Sequence, residues 1–283
     1  MRLSMLKLLT ILSLLSISLY ANEKIDKYIL EYEEQKINTL LQQQNILLDD
    51  VSIALKKDLK ENGWYGYVFN LTFTVKGKTL TQRDTLFTNG RLITPELISV
   101  RTNRSFKDSL YPTLDASYFD QSHLIAGNVD AKHTLVLFSD PLCPMCVNEV
   151  PKIIQNVMQN PESFSLYLFH LPLPMHPTAK LLAKASMIAN DMEIENVSHD
   201  MYKANFGQYY DAYNETDDTV ALMHFNTIFK TEITMEQIND IKLEERLLYE
   251  INMSEKAFVN GTPTLFLDGQ IDKTRTQYLK YLK

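Results

Sequence analysis

Cys143 and Cys146 are the only cysteines in 283 residues, and Pro144 and Met145 stand between them. A lone pair at that spacing closes on itself or exchanges with the sulfurs of another protein, which is thiol–disulfide chemistry. An apolar run over 134–138 precedes the pair and a helical pattern over 147–159 follows it. Cys143 is therefore expected at a helix N-terminus, where free backbone N–H groups and the helix dipole favour negative charge. Thiolate is the nucleophile, so Cys143 is read as the attacking sulfur. Cys146, a turn further along the same face, is placed to attack the mixed disulfide and release the substrate. The redox element is then the Cys143/Cys146 disulfide itself, and no separate cofactor is called for.

The pair has two other conceivable uses. A structural zinc site would need further ligands, and His170 and His176 are the candidates; ligand pairs usually show tighter spacing, so no metal is expected and the histidines read as residues flanking the active-site loop. A purely structural disulfide would close only a four-residue loop, which gains little entropy.

The elements that must position these residues fall into two groups. From Glu23 to about Gln44, Ile25, Tyr28, Ile29, Tyr32, Ile37, Leu40 and Leu41 recur at three- and four-residue intervals, the pattern of an amphipathic helix. A second helix is expected over 50–60. From Trp64 the period becomes two: Tyr65, Tyr67, Phe69, Leu71, Phe73 and Val75 alternate with smaller or polar residues, Val68 excepted. This is a half-buried strand, and Gly77 and Asn89-Gly90 signal an antiparallel meander reaching about Val100. The boundaries expected are a leader over 1–21, an N-terminal α+β domain over 22–105, a linker over 106–130 and a second domain over 131–283. Within the last, strands are expected over 132–140, 163–173 and 264–267, a helical insertion over about 178–256, and a final helix over 278–282. Pro151 should kink the active-site helix.

Charge and the first 21 residues bear on compartment and partners. The formal charge is −7 and falls by two, to −9, without Arg2 and Lys7; an acidic chain lacks the basic footprint of a nucleic-acid binder. Arg2 and Lys7 precede an apolar stretch over 8–19, and Ala21 closes it with a small residue, the pattern of a cleavable signal peptide. A spanning helix needs about 20 apolar residues. The mature chain is thus expected to be exported, and to work where disulfides persist.

The segment Phe138-Ser139-Asp140-Pro141-Leu142-Cys143-Pro144-Met145-Cys146, with Gly261-Thr262-Pro263-Thr264 downstream, resembles the periplasmic disulfide isomerases of the DsbC and DsbG type, over roughly 127–267. The resemblance implies an α/β architecture: a thioredoxin fold with a helical insertion, joined to an N-terminal domain that pairs two chains into a homodimer. It implies that Pro263 is cis and faces the sulfurs. Thr262 would then present its backbone to an extended substrate, with Pro144 and Met145 flanking the contact. It further implies a membrane thiol reductase as electron donor, and misfolded or misoxidised exported proteins as substrates. The function expected is a periplasmic disulfide isomerase or reductase. A dithiol oxidase of the DsbA kind and a redox-independent chaperone remain as alternatives. One departure stands out. Thioredoxins and strongly oxidising relatives carry a buried acid six residues before the first cysteine, and here that residue is Leu137, which leaves proton handling at Cys146 to water or the backbone.

Overall fold

The computed structural model describes residues 24–41, 46–75 and 78–282. The leader expected over 1–21 and the turn glycine Gly77 lie outside the described residues. The chain divides into two compact units, 1–110 and 111–283.

In the N-terminal unit, helix α1 (24–41) packs its Ile29 and Ile37 into an apolar cluster with Tyr67, Phe69, Leu71, Phe73 and Leu86. Tyr28, Tyr32 and Leu40, part of the expected stripe, are exposed instead. Four antiparallel strands run in the order β1 (Leu47–Glu61), β2 (Trp64–Val75), β3 (Lys78–Thr88) and β4 (Ile93–Thr94). The inward alternation of β2 from Tyr67 to Phe73 follows the period read from the sequence. The helix expected over 50–60 is corrected: these residues are strand, paired with β2 from Leu47↔Thr74 to Glu61↔Trp64. Asn62 and Gly63 make the turn that imposes this pairing, with φ of 45° and 78°, the left-handed values that a tight hairpin turn requires.

In the C-terminal unit a five-stranded sheet has the order β5 (Leu124–Gly127), β7 (Phe164–His170), β6 (His133–Ser139), β8 (Thr264–Leu267) and β9 (Gln270–Asp272). Strands β6 and β7 are parallel and the other pairs antiparallel. Both faces are covered, which is why the central strands are continuously apolar. Leu135, Leu137, Leu166, Leu168, Leu265 and Leu267 face one cluster, with α2 (Pro144–Gln159) and most of the insertion. Val136, Phe138, Tyr167, Phe169 and Phe266 face the other, with Met253 of a later helix. Helix α2 continues through Pro151 to Gln159. The insertion comprises α3 (Ala179–Asp191), α4 (Val197–Ala204), α5 (Asp218–Phe229), α6 (Met235–Ile238) and α7 (Ile241–Lys256). In place of the helix expected over 278–282 the chain forms a 3-10 helix over Gln277–Tyr281.

Much of the segment read as a linker is folded into this unit. Leu114 and Tyr118 are buried against the sheet, and β5 pairs with β7. Asp115 and Asp120 cap short 3-10 turns by accepting from Ser117 and Ser122 N–H; this polar punctuation hid the apolar anchors. Gly127 has φ of 83°, and a Cβ there would lie 1.9 Å from the Phe164 carbonyl oxygen.

Candidate active site

Strand β6 ends at Ser139, and the chain turns through Asp140-Pro141-Leu142 into α2. Cys143 is the N-cap of that helix and Pro144 its first residue, the position where a missing N–H costs nothing. The turn is held by Asp140, whose buried carboxylate accepts from Leu142 N–H at 2.7 Å and Cys143 N–H at 3.2 Å through Oδ1. Its Oδ2 accepts from Leu173 N–H at 2.7 Å and is hydrogen bonded to His176 Nδ1 at 2.8 Å. One carboxylate thereby ties the dithiol loop to the loop after β7. The sequence reading assigned Asp140 no role.

The two sulfurs differ in environment. Cys143 is 7% exposed and Cys146 fully buried, both as free thiols. Cys143 Sγ stands 3.4 Å from the Thr262 carbonyl oxygen. The Cys146 side chain, the Cys146 and Met145 N–H groups and the Thr262 hydroxyl all stabilise a Cys143 thiolate, and hold it down to about 5 against the effect of burial. Burial pushes the Cys146 thiol up, and donation to Cys143 adds to this. The arrangement yields one reactive thiolate and one reserve thiol.

The structure thus brings Cys143, Cys146 and Thr262 together across 119 residues of sequence. The peptide bond between Thr262 and Pro263 is cis. Pro144 and Met145 are exposed at the start of α2, Met145 at 47%. The histidines of the zinc alternative are engaged elsewhere. His170 uses both ring nitrogens, Nδ1 with Glu250 at 2.8 Å and Nε2 with Ser186 Oγ at 2.9 Å, and His176 is held by Asp140. Among the described residues no group of three or more His, Cys, Asp or Glu is placed to hold a metal ion.

Leu137 is fully buried in the apolar cluster beside α2. The polar groups at Cys146 are hydroxyls, not water or backbone alone as the sequence implied: those of Ser139 and Thr262 favour its thiolate, together with an Asp140 backbone group. The Tyr202 hydroxyl, on α4, adjoins Ser139. Ser139 lay in the quoted motif and could have been noticed there; Tyr202 carries no signal in the sequence.

The five-stranded sheet, the helix that starts at a cysteine pair and the Thr262-Pro263 segment beside it define a thioredoxin-like thiol–disulfide oxidoreductase, a class whose redox element is a cysteine pair and not an external cofactor. Residues 120–282, well over half of the chain, match the family model described as Thioredoxin, and the chain belongs to that family. Among solved structures it is similar to a thioredoxin-like oxidoreductase from Silicibacter pomeroyi DSS-3, with 16% identity, 56% of this chain and 87% of that chain covered, and a TM-score of 0.45. It is also similar to DsbA2 of Pseudomonas aeruginosa, at 19% identity, 56% and 91% coverage and a TM-score of 0.41. For oxidised BdbD of Bacillus subtilis the values are 16%, 60% and 92%, and 0.45. No curated protein matches the chain.

Proposed function

We propose that the protein is an exported, periplasmic disulfide isomerase or reductase acting on misfolded or misoxidised proteins. The observation that carries this reading is the division of labour between the sulfurs, with Cys143 held near 5 and partly accessible and Cys146 enclosed behind it. Cys143 thiolate attacks a substrate disulfide, forming one S–S bond and breaking another, and the displaced substrate sulfur leaves as thiolate. The substrate then rearranges, or Cys146 attacks Cys143 Sγ and releases it reduced. Thr262 and Pro263 on one side, and the exposed Pro144 and Met145 on the other, form the surface on which the substrate backbone lies. A groove lined by Leu142, Pro144, Val147, Asp211 and Tyr213 adjoins the pair. To isomerise, the pair must be kept reduced, so a membrane thiol reductase is the proposed electron donor. A second copy of the chain is the proposed partner of the N-terminal unit, whose β1 is an edge strand and whose Tyr28, Tyr32 and Leu47 are exposed.

The low value at Cys143 also favours a second reading. Stabilising the thiolate stabilises the reduced protein, which makes its disulfide the stronger oxidant. A dithiol oxidase is therefore the alternative.

The test is reactivation of a scrambled multi-disulfide protein, with reduced substrate in parallel and Cys143→Ser as control. Recovery of scrambled substrate by the wild type alone is the result expected of an isomerase. Oxidation of reduced substrate without rescue of scrambled substrate replaces that reading with the oxidase. Equal protection by Cys143→Ser would instead make the protein a redox-independent chaperone.

A further inference from the structure

Cys146 has to become a thiolate when it resolves a mixed disulfide, yet burial pushes its thiol up. No acid on β6 helps, since Leu137 fills the place where relatives carry one. What surrounds the sulfur is a set of hydroxyls from three separate elements: Ser139 at the end of β6, Thr262 before Pro263, and Tyr202 on α4. In the dithiol state the hydroxyl oxygens of all three are buried and without a hydrogen-bond partner. Ser139 and Tyr202 are fully buried, and Tyr202 shares an apolar cluster with both cysteines.

An idle buried hydroxyl costs about 1–3 kcal/mol. If these positions only filled a core, Ala at 139 and Phe at 202 would fill it at lower cost. Ionisation of Cys146 gives the Ser139 hydroxyl an acceptor that the dithiol state lacks. The Ser139 hydroxyl adjoins both the Cys146 sulfur and the Tyr202 oxygen and is bonded to neither in the dithiol state. Burial keeps the Tyr202 phenol well above its usual value, so it stays a proton donor.

We infer that Ser139 and Tyr202 form a hydroxyl chain that takes the place of an acid in the resolving step, Tyr202 donating to Ser139 and Ser139 donating to the Cys146 thiolate. Thr262 supplies a second donor. The inference rests on the proposed exchange function and deepens it. In the step, the Cys146 S–H bond ionises, a Cys146–Cys143 bond forms and the bond from Cys143 to the substrate sulfur breaks. Over attack and resolution together the cysteine pair loses two electrons and the substrate disulfide gains them; in this step the departing substrate thiolate takes up the proton that Cys146 gave. The hydroxyls hold charge and keep their own protons. Ser139 touches a reacting atom and is a catalytic residue; Tyr202 acts through it and is a positioning residue. Because α4 belongs to the insertion, the insertion then contributes to chemistry as well as to cover. Cys143 and Arg275, the latter paired with Glu149, are ionisable groups that also act on Cys146, and Asp140 acts on it through its backbone; all remain in the variants below.

Stopped-flow reaction of the full reduced protein with 5,5′-dithiobis(2-nitrobenzoate) reads both steps. The first coloured thiolate released reports attack by Cys143, and the second reports resolution by Cys146. Tyr202→Phe removes one oxygen and keeps the ring. It is expected to slow the second phase by up to about tenfold, as loss of one hydrogen bond within the chain implies, and to move that phase's pH midpoint upward with the first phase unchanged. Ser139→Ala should do the same or more, and Ser139→Thr, which restores a hydroxyl, should recover most of the rate. A second phase unaltered in rate and midpoint in both Tyr202→Phe and Ser139→Ala, beside a biphasic wild type, overturns the hydroxyl chain and leaves the exchange function standing. A wild type that releases no thiolate overturns the exchange function and the chain with it.

Discussion

The two compact units bury acid in opposite ways. In the C-terminal unit Glu250 lies enclosed on α7 and accepts from the His170 N–H and from His170 Nδ1, with His123 Nε2 at 3.5 Å. Burial alone would raise it, but the two histidines hold it down to about 2. Asp140 is enclosed in the same manner, with four hydrogen bonds. In the N-terminal unit Glu33 sits between Ile29 and Ile37 on the buried stripe of α1, fully covered and without a well-formed hydrogen bond. Its cation is Lys36 at 2.7 Å, an ammonium that the neighbouring Asp84 also claims at 2.7 Å. Burial pushes Glu33 up to about 7, while Lys36 keeps Asp84 below its usual range. Two carboxylates sharing one cation cannot both ionise freely, and the more deeply buried one yields. Glu250 in the catalytic unit therefore stays ionised across the pH range in which thiols react, and Glu33 in the N-terminal unit does not.

The largest effect should come from breaking the satisfied network. Glu250→Ala leaves the His170 backbone and ring, and His123, without their acceptor, and should cost roughly 3–5 kcal/mol. Urea unfolding followed by far-UV circular dichroism checks it, because the helical insertion dominates that signal; a loss below about 1 kcal/mol would mean the network is not what holds α7 to β7. The unsatisfied acid should behave in the opposite sense. A group whose folded value is raised above 4.5, as at Glu33, favours folding most at pH below 4.5, and that contribution is lost as pH climbs to about 7. Glu33→Gln should therefore flatten the stability of the N-terminal unit between those limits and stabilise it by about 1–2 kcal/mol at pH 8. Trp64, the only tryptophan, lies in this unit and reports its unfolding by fluorescence. A variant less stable than wild type at pH 8 would reverse the contrast between the units.

The same contrast governs what could be read from the sequence. The dithiol, its helix and strands β6, β7 and β8 were legible because the chemistry sits in a four-residue motif and doubly covered strands are unbroken apolar runs. The Thr262-Pro263 partner was legible only through family resemblance, since its contact with Cys143 spans 119 residues. Asp140 had no assigned role, and His176 read only as a residue flanking the active-site loop, for a like reason: they meet across 36 residues, and an isolated Asp or His carries no sign of its partner. Glu33 was indistinguishable from any helical glutamate, because α1 places it inward at a position where a polar residue normally marks the solvent face. Strand β1 was misread for a local reason. Its Val51, Ile53 and Leu55 are flanked by Asp and Lys that suit a helix, and its conformation is set by pairing with β2 rather than by its own propensity.

That misreading yields the smallest of the expected effects. Asn62-Gly63 is the dipeptide that favours a hairpin turn, and it was present in the sequence as the one local argument against a helix ending at Lys60. A Cβ on Gly63 would meet nothing within 4 Å, so Gly63→Ala adds no clash and its cost is purely that of a φ of 78°. About 1 kcal/mol follows. The loss should appear in Trp64 fluorescence, since Trp64 follows the turn directly, and should be nearly independent of pH because no titrating group is touched. Glu33→Gln and Gly63→Ala then separate two origins of stability in one unit: the first changes the pH dependence, the second only the level. If Gly63→Ala also altered the slope between pH 4.5 and 7, the buried acid on α1 and the β1–β2 turn would be coupled through the sheet, and the N-terminal unit would respond to pH as a whole and not at Glu33 alone.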